Sequence, residues 1–355
     1  RSVINRFANT GSDRQNGFNL NSVNVQLEKA VDEGTWSAGY KTELMFGPDA
    51  SVMPGRLGNG SDLAIKQAYA ALRAPVGNGI DFKVGQFDPI IGYETTSSYQ
   101  NPNFSRSLAF SNLEPYGHQG ILASYQFSDV LGVSAGIANS ANNTSFAGPN
   151  GGSATLGNIN AKYFGNSFKS YMGGLVLKAP DSLGWLAGSS LYAGVVHALQ
   201  AGESNDPVTF YVGASIATPL KALTLGVGYD YRANGIVNQY TGYGTPAVAS
   251  AAKRDGGYAN ALSTYISYQL TEKLKLNNRV EYATSSGGVF LPVYVNDERV
   301  FALTSTLDYA LFANVVTRIE GRWDTTVGSG GAHKLRNFDG GKNTVSLLLN
   351  VIYKF

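Results

Sequence analysis

Apolar and polar residues alternate along most of this chain with a period of two, the pattern of strands that show one face to an apolar surrounding and the other to water. At the C-terminal end Val345, Leu347, Leu349, Val351, Tyr353 and Phe355 interleave with Thr344, Ser346, Leu348, Asn350, Ile352 and Lys354. The preceding segment is sharper: Val315, Thr317, Ile319, Gly321 and Trp323 oppose Asn314, Val316, Arg318, Glu320, Arg322 and Asp324. Leu274, Leu276, Val280 and Tyr282 oppose Lys275, Asn277, Arg279 and Glu281, while Leu223, Leu225, Val227, Tyr229 and Tyr231 oppose Thr224, Gly226, Gly228, Asp230 and Arg232. Near the start, Trp36, Ala38, Tyr40, Leu44 and Phe46 oppose Ser37, Gly39, Lys41 and Glu43. The pattern predicts strands near 2–9, 18–29, 35–46, 63–74, 80–88, 119–127, 130–139 and 167–179. It continues with strands near 186–199, 207–218, 222–232, 258–270, 273–284, 298–309, 312–323 and 342–355.

A soluble sandwich alternates too, and the connections separate the two cases. Tight turns at Val31-Asp32-Glu33-Gly34, Val76-Gly77-Asn78-Gly79, Ser128-Asp129 and Thr271-Glu272 take turns with long polar segments near 47–62, 89–117, 140–165, 234–257, 286–297 and 324–340. Loop lengths segregated in this way belong to a membrane barrel, with short turns in the periplasm and long loops outside. The expected fold is all-β: a transmembrane, antiparallel, up-and-down β-barrel of about 16 strands, one domain over residues 1–355. A barrel of that size encloses water rather than a packed core.

Composition narrows the classes further. Charged residues are 15% of the chain, against roughly 25% in soluble domains, and there are 43 Gly, 21 Tyr and 17 Phe. Trp36, Tyr40, Tyr229, Tyr231, Tyr282, Trp323, Tyr353 and Phe355 fall at or near outward strand ends, as interfacial girdles do. A net charge of +2 argues against a nucleic-acid partner. With no cysteine, disulfides, thiolate metal sites and cysteine nucleophiles are excluded. No run approaches about 18 apolar residues, so no transmembrane helix is expected. No leader precedes Arg1, and the chain reads as mature or trimmed at its start.

Several stretches resemble the putative β-barrel porin-2 family: Phe46-Gly47-Pro48-Asp49-Ala50, Val84-Gly85-Gln86-Phe87, Ile91-Gly92-Tyr93-Glu94, Asn103-Phe104-Ser105-Arg106-Ser107, then Pro115, His118 and Gly120. Arg318-Ile319-Glu320-Gly321-Arg322-Trp323-Asp324 is similar to that family's late strand. The resemblance implies a basic residue at position 86, where this chain has Gln86. The resemblance implies a porin-like channel in a bacterial outer membrane and names no solute.

A pore needs a polar interior and a constriction. The loop 89–117 is the longest connection and the third on the outer side; its charges, in or beside it, are Asp88, Glu94, Arg106 and Glu114. Pro89 and Pro102 stiffen it. Either it folds inward as a constriction or it lies outside as a flap. Lys41, Arg73, Lys83, Arg232, Arg279, Arg318 and Arg322 fall on the inward parity as pore-lining candidates, with Glu43, Asp81, Asp230, Glu281, Asp308 and Glu320 among them. They form either a selective field or a lattice of salt bridges that stiffens the wall. Small outward residues, Ala135, Gly173, Ala193 and Ala214, suit a second barrel packed alongside, as a homo-oligomer with a trimer the favoured number. Phe355, with Tyr353 and Val351, resembles the signal read by the barrel assembly machinery.

Other motifs carry little. Gly132-Val133-Ser134-Ala135-Gly136 matches a hydrolase elbow but lies inside an alternating strand, where no strand-to-helix turn exists. His118, His197 and His333 are scattered, which argues against a metal site. Gly328-Ser329-Gly330-Gly331 and Gly340-Gly341-Lys342 lack phosphate-loop spacing. The expectation is a non-enzymatic channel without cofactor, set in outer-membrane lipid and passing small hydrophilic solutes and ions. The alternative is a non-conducting barrel that sheathes a partner or anchors a surface layer.

Overall fold

A computed structural model describes residues 18–53, 55, 57, 62–139, 169–198, 206–234, 236–237, 254–255, 257–287, 289–290, 296–328 and 342–355. Fifteen strands follow one another in a single antiparallel sheet, each bonded to the next in chain order. The first ten are β1 (Val23–Lys29), β2 (Ser37–Phe46), β3 (Leu63–Ala74), β4 (Ile80–Phe87), β5 (His118–Gln126), β6 (Leu131–Asn139), β7 (Lys169–Lys178), β8 (Ser190–Ala198), β9 (Val208–Ala217) and β10 (Leu223–Ala233). The sheet resumes with β13 (Tyr258–Gln269), β14 (Leu274–Gly287), β15 (Asn296–Phe312), β16 (Val315–Thr326) and β17 (Asn343–Tyr353). Between these two sets, β11 (Ile236–Val237) and β12 (Arg254–Asp255) pair in a ladder of their own. Fifteen of the sixteen predicted strands are therefore present, with ends shifted by a few residues. The predicted strand 2–9 lies outside the described residues, as do the loop 140–165 and most of 234–257 and 324–340.

One boundary moves for a clear reason. The expected strand 186–199 begins at Ser190, because residues Asp181–Leu186 form a 3₁₀ turn after Pro180. Proline has no N–H to give a ladder, and Gly184 takes φ 60° inside the turn. The other turns on this side are short. In the one between β3 and β4, Gly77 and Gly79 sit at φ 58° and 93°, where side chains are disfavoured.

The two faces of the sheet differ in chemistry. On β16, Ile319 is 48% and Trp323 39% exposed, while Glu320 between them is 0% exposed. Val345, Leu347, Leu349 and Val351 stand out on β17, as do Tyr229 on β10 and Tyr282 on β14. Large apolar groups turned outward along every strand need a lipid surrounding, because water would oppose so large an apolar surface. The opposite face carries the charges and receives residues 88–117.

A bulge breaks the alternation near the loop end of β2 and β3. Glu43 pairs with Gln67 and Leu44 with Ile65, which leaves Lys66 unmatched. Lys66 and Gln67 are both buried as a result. Beyond Gln86 β4 no longer pairs with β3, and Gly55 and Leu57 bond to the freed edge of β3. Ile65 N–H donates to Gly55 O at 2.9 Å and Leu57 N–H to Leu63 O at 2.9 Å.

Candidate functional site

The connection between β4 and β5 folds back against the inner face and is buried along most of its length. Its sequence explains why. Ile91, Phe104, Leu108, Phe110, Leu113 and Tyr116 are apolar and at most 5% exposed, each buried side chain contributing about 1.5–3 kcal/mol. A short helix, α1 (Leu108–Asn112), is capped by Ser107, whose hydroxyl accepts from Phe110 N–H at 3.0 Å. Three separate sectors of the wall receive the loop. Leu108, Ala109 and Leu113 pack with Ala259, Ala261, Ala283, Val300 and Ala302 of β13–β15. Ile91 packs with Leu122, Ala138, Met172 and Val196 of β5–β8. Phe110 and Tyr116 pack with Met45, Met53 and Ala64 beside β2 and β3. The loop therefore spans the inner face from one side to the other.

Small wall residues make the seats. A side chain at Gly194 would press on Ile91, and one at Gly226 would meet the Tyr93 hydroxyl. Tyr93 stacks on Tyr265 of β13 with ring centres 4.0 Å apart. Gly92 turns at φ 106° directly opposite the Glu114 carboxylate, so a side chain there would be both strained and blocked.

Charged wall residues hold the loop by its backbone. Glu320 accepts the N–H groups of Phe104 and Ser105 at 2.6 and 3.0 Å. Glu281 accepts Leu108 N–H at 2.5 Å, and within the loop Glu94 accepts Ser107 N–H at 2.8 Å. The arginines take the carbonyls. Arg279 donates to Ser105 O at 2.6 Å and Arg106 O at 3.0 Å, and Arg322 donates to Arg106 O at 2.7 Å. Arg318 donates to Ser98 O at 3.2 Å and Asn101 O at 3.0 Å. Ion pairs neutralise the set: Arg279 with Glu94 and Glu281, both at 2.7 Å, Arg322 with Asp324 at 2.8 Å, and Arg318 with Asp308 at 3.0 Å. The three arginines are both paired and hydrogen-bonded, and Glu320 is satisfied by hydrogen bonds from Phe104, Ser105 and Thr306, the condition under which buried ions are tolerated.

The residues singled out by parity fall into two groups. Glu43, Asp230, Arg279, Glu281, Arg318, Glu320 and Arg322 are buried beneath or beside the loop, with Glu94, Arg106 and Glu114 of the loop itself. Lys41, Arg73, Lys83 and Arg232 remain partly exposed on the strands. Lys41 pairs with Glu28 at 3.4 Å, Arg73 with Asp81 at 3.4 Å, and Lys83 lies 5.1 Å over the Tyr69 ring. Asp88, at the loop's root, is bound to Lys66 at 2.9 Å, and Lys66 also holds Glu43 at 3.0 Å. Burial raises the Asp88 pKa, which Lys66 pulls back down. Burial also pushes the Glu114 carboxyl well above its ordinary range, and the neighbouring Asp230 and Glu94 carboxylates add to the effect. The Arg106 guanidinium, buried over the Phe110 ring, is lowered by desolvation. Lys66, Tyr93, Tyr265 and Asn103, which donates to Thr306 Oγ1 at 2.7 Å, belong to the same assembly and carry no parity signal. The Gly132–Gly136 stretch lies within β6. Among the described residues no group of three His, Cys, Asp or Glu side chains is placed to hold a metal ion.

An up-and-down sheet with lipid-facing apolar residues, charges on the other face and a long loop folded onto that face defines a porin of the bacterial outer membrane. The match is to the family described as putative beta-barrel porin-2, OmpL-like, whose pattern covers residues 2–355, and the chain belongs to that family. No curated protein matches the chain in sequence. Among solved structures it resembles the outer membrane channel DcaP of Acinetobacter baumannii at 11% identity and a TM-score of 0.58, over 95% of this chain and 86% of that one. It also resembles an anion-selective porin from Comamonas acidovorans at 13% identity and a TM-score of 0.55, over 94% of this chain and 89% of that one. A third is OmpT, an outer membrane protein of Vibrio cholerae in trimer form, at 13% identity and a TM-score of 0.51, over 95% and 92% of the two chains. Likeness at these identities concerns the fold.

Proposed function

We propose that the protein is a passive diffusion channel for small hydrophilic solutes and ions, narrowed by residues 88–117. One observation carries the reading: the loop is fixed across the inner face, yet Lys41, Arg73 and Lys83 on that same face stay accessible. A filled lumen would have buried them, and an outward flap would have left Arg279 and Glu281 bare. In this reading the two groups of charges do different work. Arg279, Glu281, Arg318, Glu320 and Arg322 hold the loop, and so does Glu43 through Lys66, while Lys41, Arg73, Lys83, Arg232 and Asp88 border the water path and set its charge preference. Glu94, Arg106 and Glu114 stiffen the loop from within, and Asp230 seats its return. No enzyme activity or cofactor belongs to this reading. A homo-oligomer, with three copies the favoured number, suits the small outward residues, and Phe355 remains the candidate contact for barrel assembly.

The test is liposome swelling with sugars of graded size. Proteoliposomes should swell in small sugars and stop responding above a size limit. No swelling with any solute, from protein that shows heat-modifiable mobility, would replace the channel with the non-conducting sheath.

A further inference from the structure

Phe290 lies in the connection between β14 and β15, one of the long outer loops, yet it is only 3% exposed and belongs to the cluster that α1 forms with the inner wall. The hairpin carries it there. Gly287 pairs with Asn296 at the end of the ladder, and Ser285 pairs with Glu298 two residues below. Glu298 is fully buried, and its Oε2 accepts three donors: the Ser285 hydroxyl at 2.5 Å, Val289 N–H at 2.8 Å and Phe290 N–H at 3.0 Å. Hydrogen bonds to a carboxylate are shorter and stronger than neutral ones. They hold residues 289–290 back against the inner face and seat Phe290 in the α1 cluster.

α1 needs such a neighbour. The charged wall contacts reach residues 98–108 of the constriction loop, from Arg318 on Ser98 O to Glu281 on Leu108 N–H. Farther on, Ala109 and Leu113 meet β13–β15 through apolar contact. The floor there is shallow: Ala259, Ala261, Ala283 and Ala302 offer one methyl group each, and Val300 two. Dispersion grows with the number of atoms in contact, so these methyl groups support α1 from below and resist sideways movement weakly. Among the described residues, Phe290 is the one large side chain of this cluster that comes from outside the constriction loop, and Val289 packs beside it.

We infer that Phe290 is a positioning residue for the constriction: it closes the flank of α1 on the side of the outer loops and so fixes the width of the path, with Glu298 setting Phe290 in place. The inference rests on the reading that residues 88–117 narrow the lumen. Two holds of different chemistry then act on one loop. Ion pairs and charged hydrogen bonds fix residues 98–108, whereas an aromatic ring from a different loop fixes 109–113. Long loops of such a barrel face outside, so the second hold ties pore width to a segment on the outer side.

Hydrogen exchange in detergent micelles and liposome swelling with graded sugars test this together, on full-length protein checked for heat-modifiable mobility. In α1, Ser111 N–H donates to Ser107 O at 3.1 Å and Leu113 N–H to Ala109 O at 2.8 Å. In Phe290→Ala these two amides should exchange about tenfold faster, while those of Phe104 and Ser105, held by Glu320, keep the parent's rates. The size limit for sugars should rise, and Phe290→Leu should restore the parent's limit. Glu298→Gln keeps the volume and weakens the acceptor, so it should move both readouts the same way by less; it also serves where Phe290→Ala fails to fold. Unchanged α1 amides would overturn the inference, as would acceleration along β14 and β15, which would make Phe290 a support of the wall. Faster α1 amides with the parent's sugar limit would overturn the assignment of pore width while leaving the channel reading in place. A parent that admits no sugar would remove the channel reading and the width assignment with it.

Discussion

Arg279→Ala should release the loop without unfolding the barrel. The guanidinium is fully buried, pairs with Glu94 and Glu281 and holds two loop carbonyls. Removing one partner of a buried ion pair costs about 3–5 kcal/mol, because the other charge stays behind without compensation. Here two carboxylates would be left, although water from the lumen side relieves part of the cost, so the lower figure applies. About 3 kcal/mol corresponds to a rise of roughly a hundredfold in the released population. Hydrogen exchange reads this directly. The amides of Phe104, Ser105, Ser107 and Leu108 donate to Glu320, Glu94 and Glu281. Their exchange in detergent micelles should accelerate by about that factor, while the amides of β13 and β15 keep their protection. Equal protection of the loop amides in parent and variant would refute the idea that wall charges hold the loop. Acceleration along β13–β15 as well would mean that Arg279 supports the wall itself.

Two further outcomes follow from the same geometry. Glu114 has its pKa raised in the packed loop above the ordinary 4.5, so ionising it opposes packing. The loop is then held most firmly below that ordinary value and loosens as pH rises toward the raised one. Open-channel current noise should grow over that window, and Glu114→Gln should flatten the growth; a variant with the parent's pH response would contradict the assignment. For the two faces, single cysteines read accessibility to a membrane-impermeant thiol reagent. Lys83→Cys should label, Ile319→Cys should not, and Glu320→Cys should label only when residues 95–112 are deleted. Labelling at Ile319→Cys would mean a register slip of one residue, which exchanges the faces.

The strands were legible because lipid on one side and water on the other impose a strict period of two, as at Leu223–Tyr231 and Val315–Trp323. Loop segregation supplied the topology. What alternation could not show is where it breaks: the bulge opposite Glu43 turns Lys66 and Gln67 inward together, and no local signal marks it. Parity placed Arg279, Glu281 and Glu320 on the charged face, yet it could not tell a residue facing water from one sealed by a loop far away in sequence. That distinction depends on contacts such as Leu108 N–H to Glu281, between segments remote along the chain. Tyr93 and Tyr265 stack for the same reason, and only Gly226 and Gly228, small positions facing Tyr93, hinted that something large approaches.

The central claim is that water and ions pass through a lumen narrowed by residues 88–117. Single-channel recording in a planar bilayer tests it by comparing the parent with a protein lacking 95–112, both checked for heat-modifiable mobility. The account predicts discrete steps from the parent and several-fold larger steps from the deletion protein. Steps of equal size would show that the loop does not limit the path, and a parent that never conducts would contradict the channel altogether.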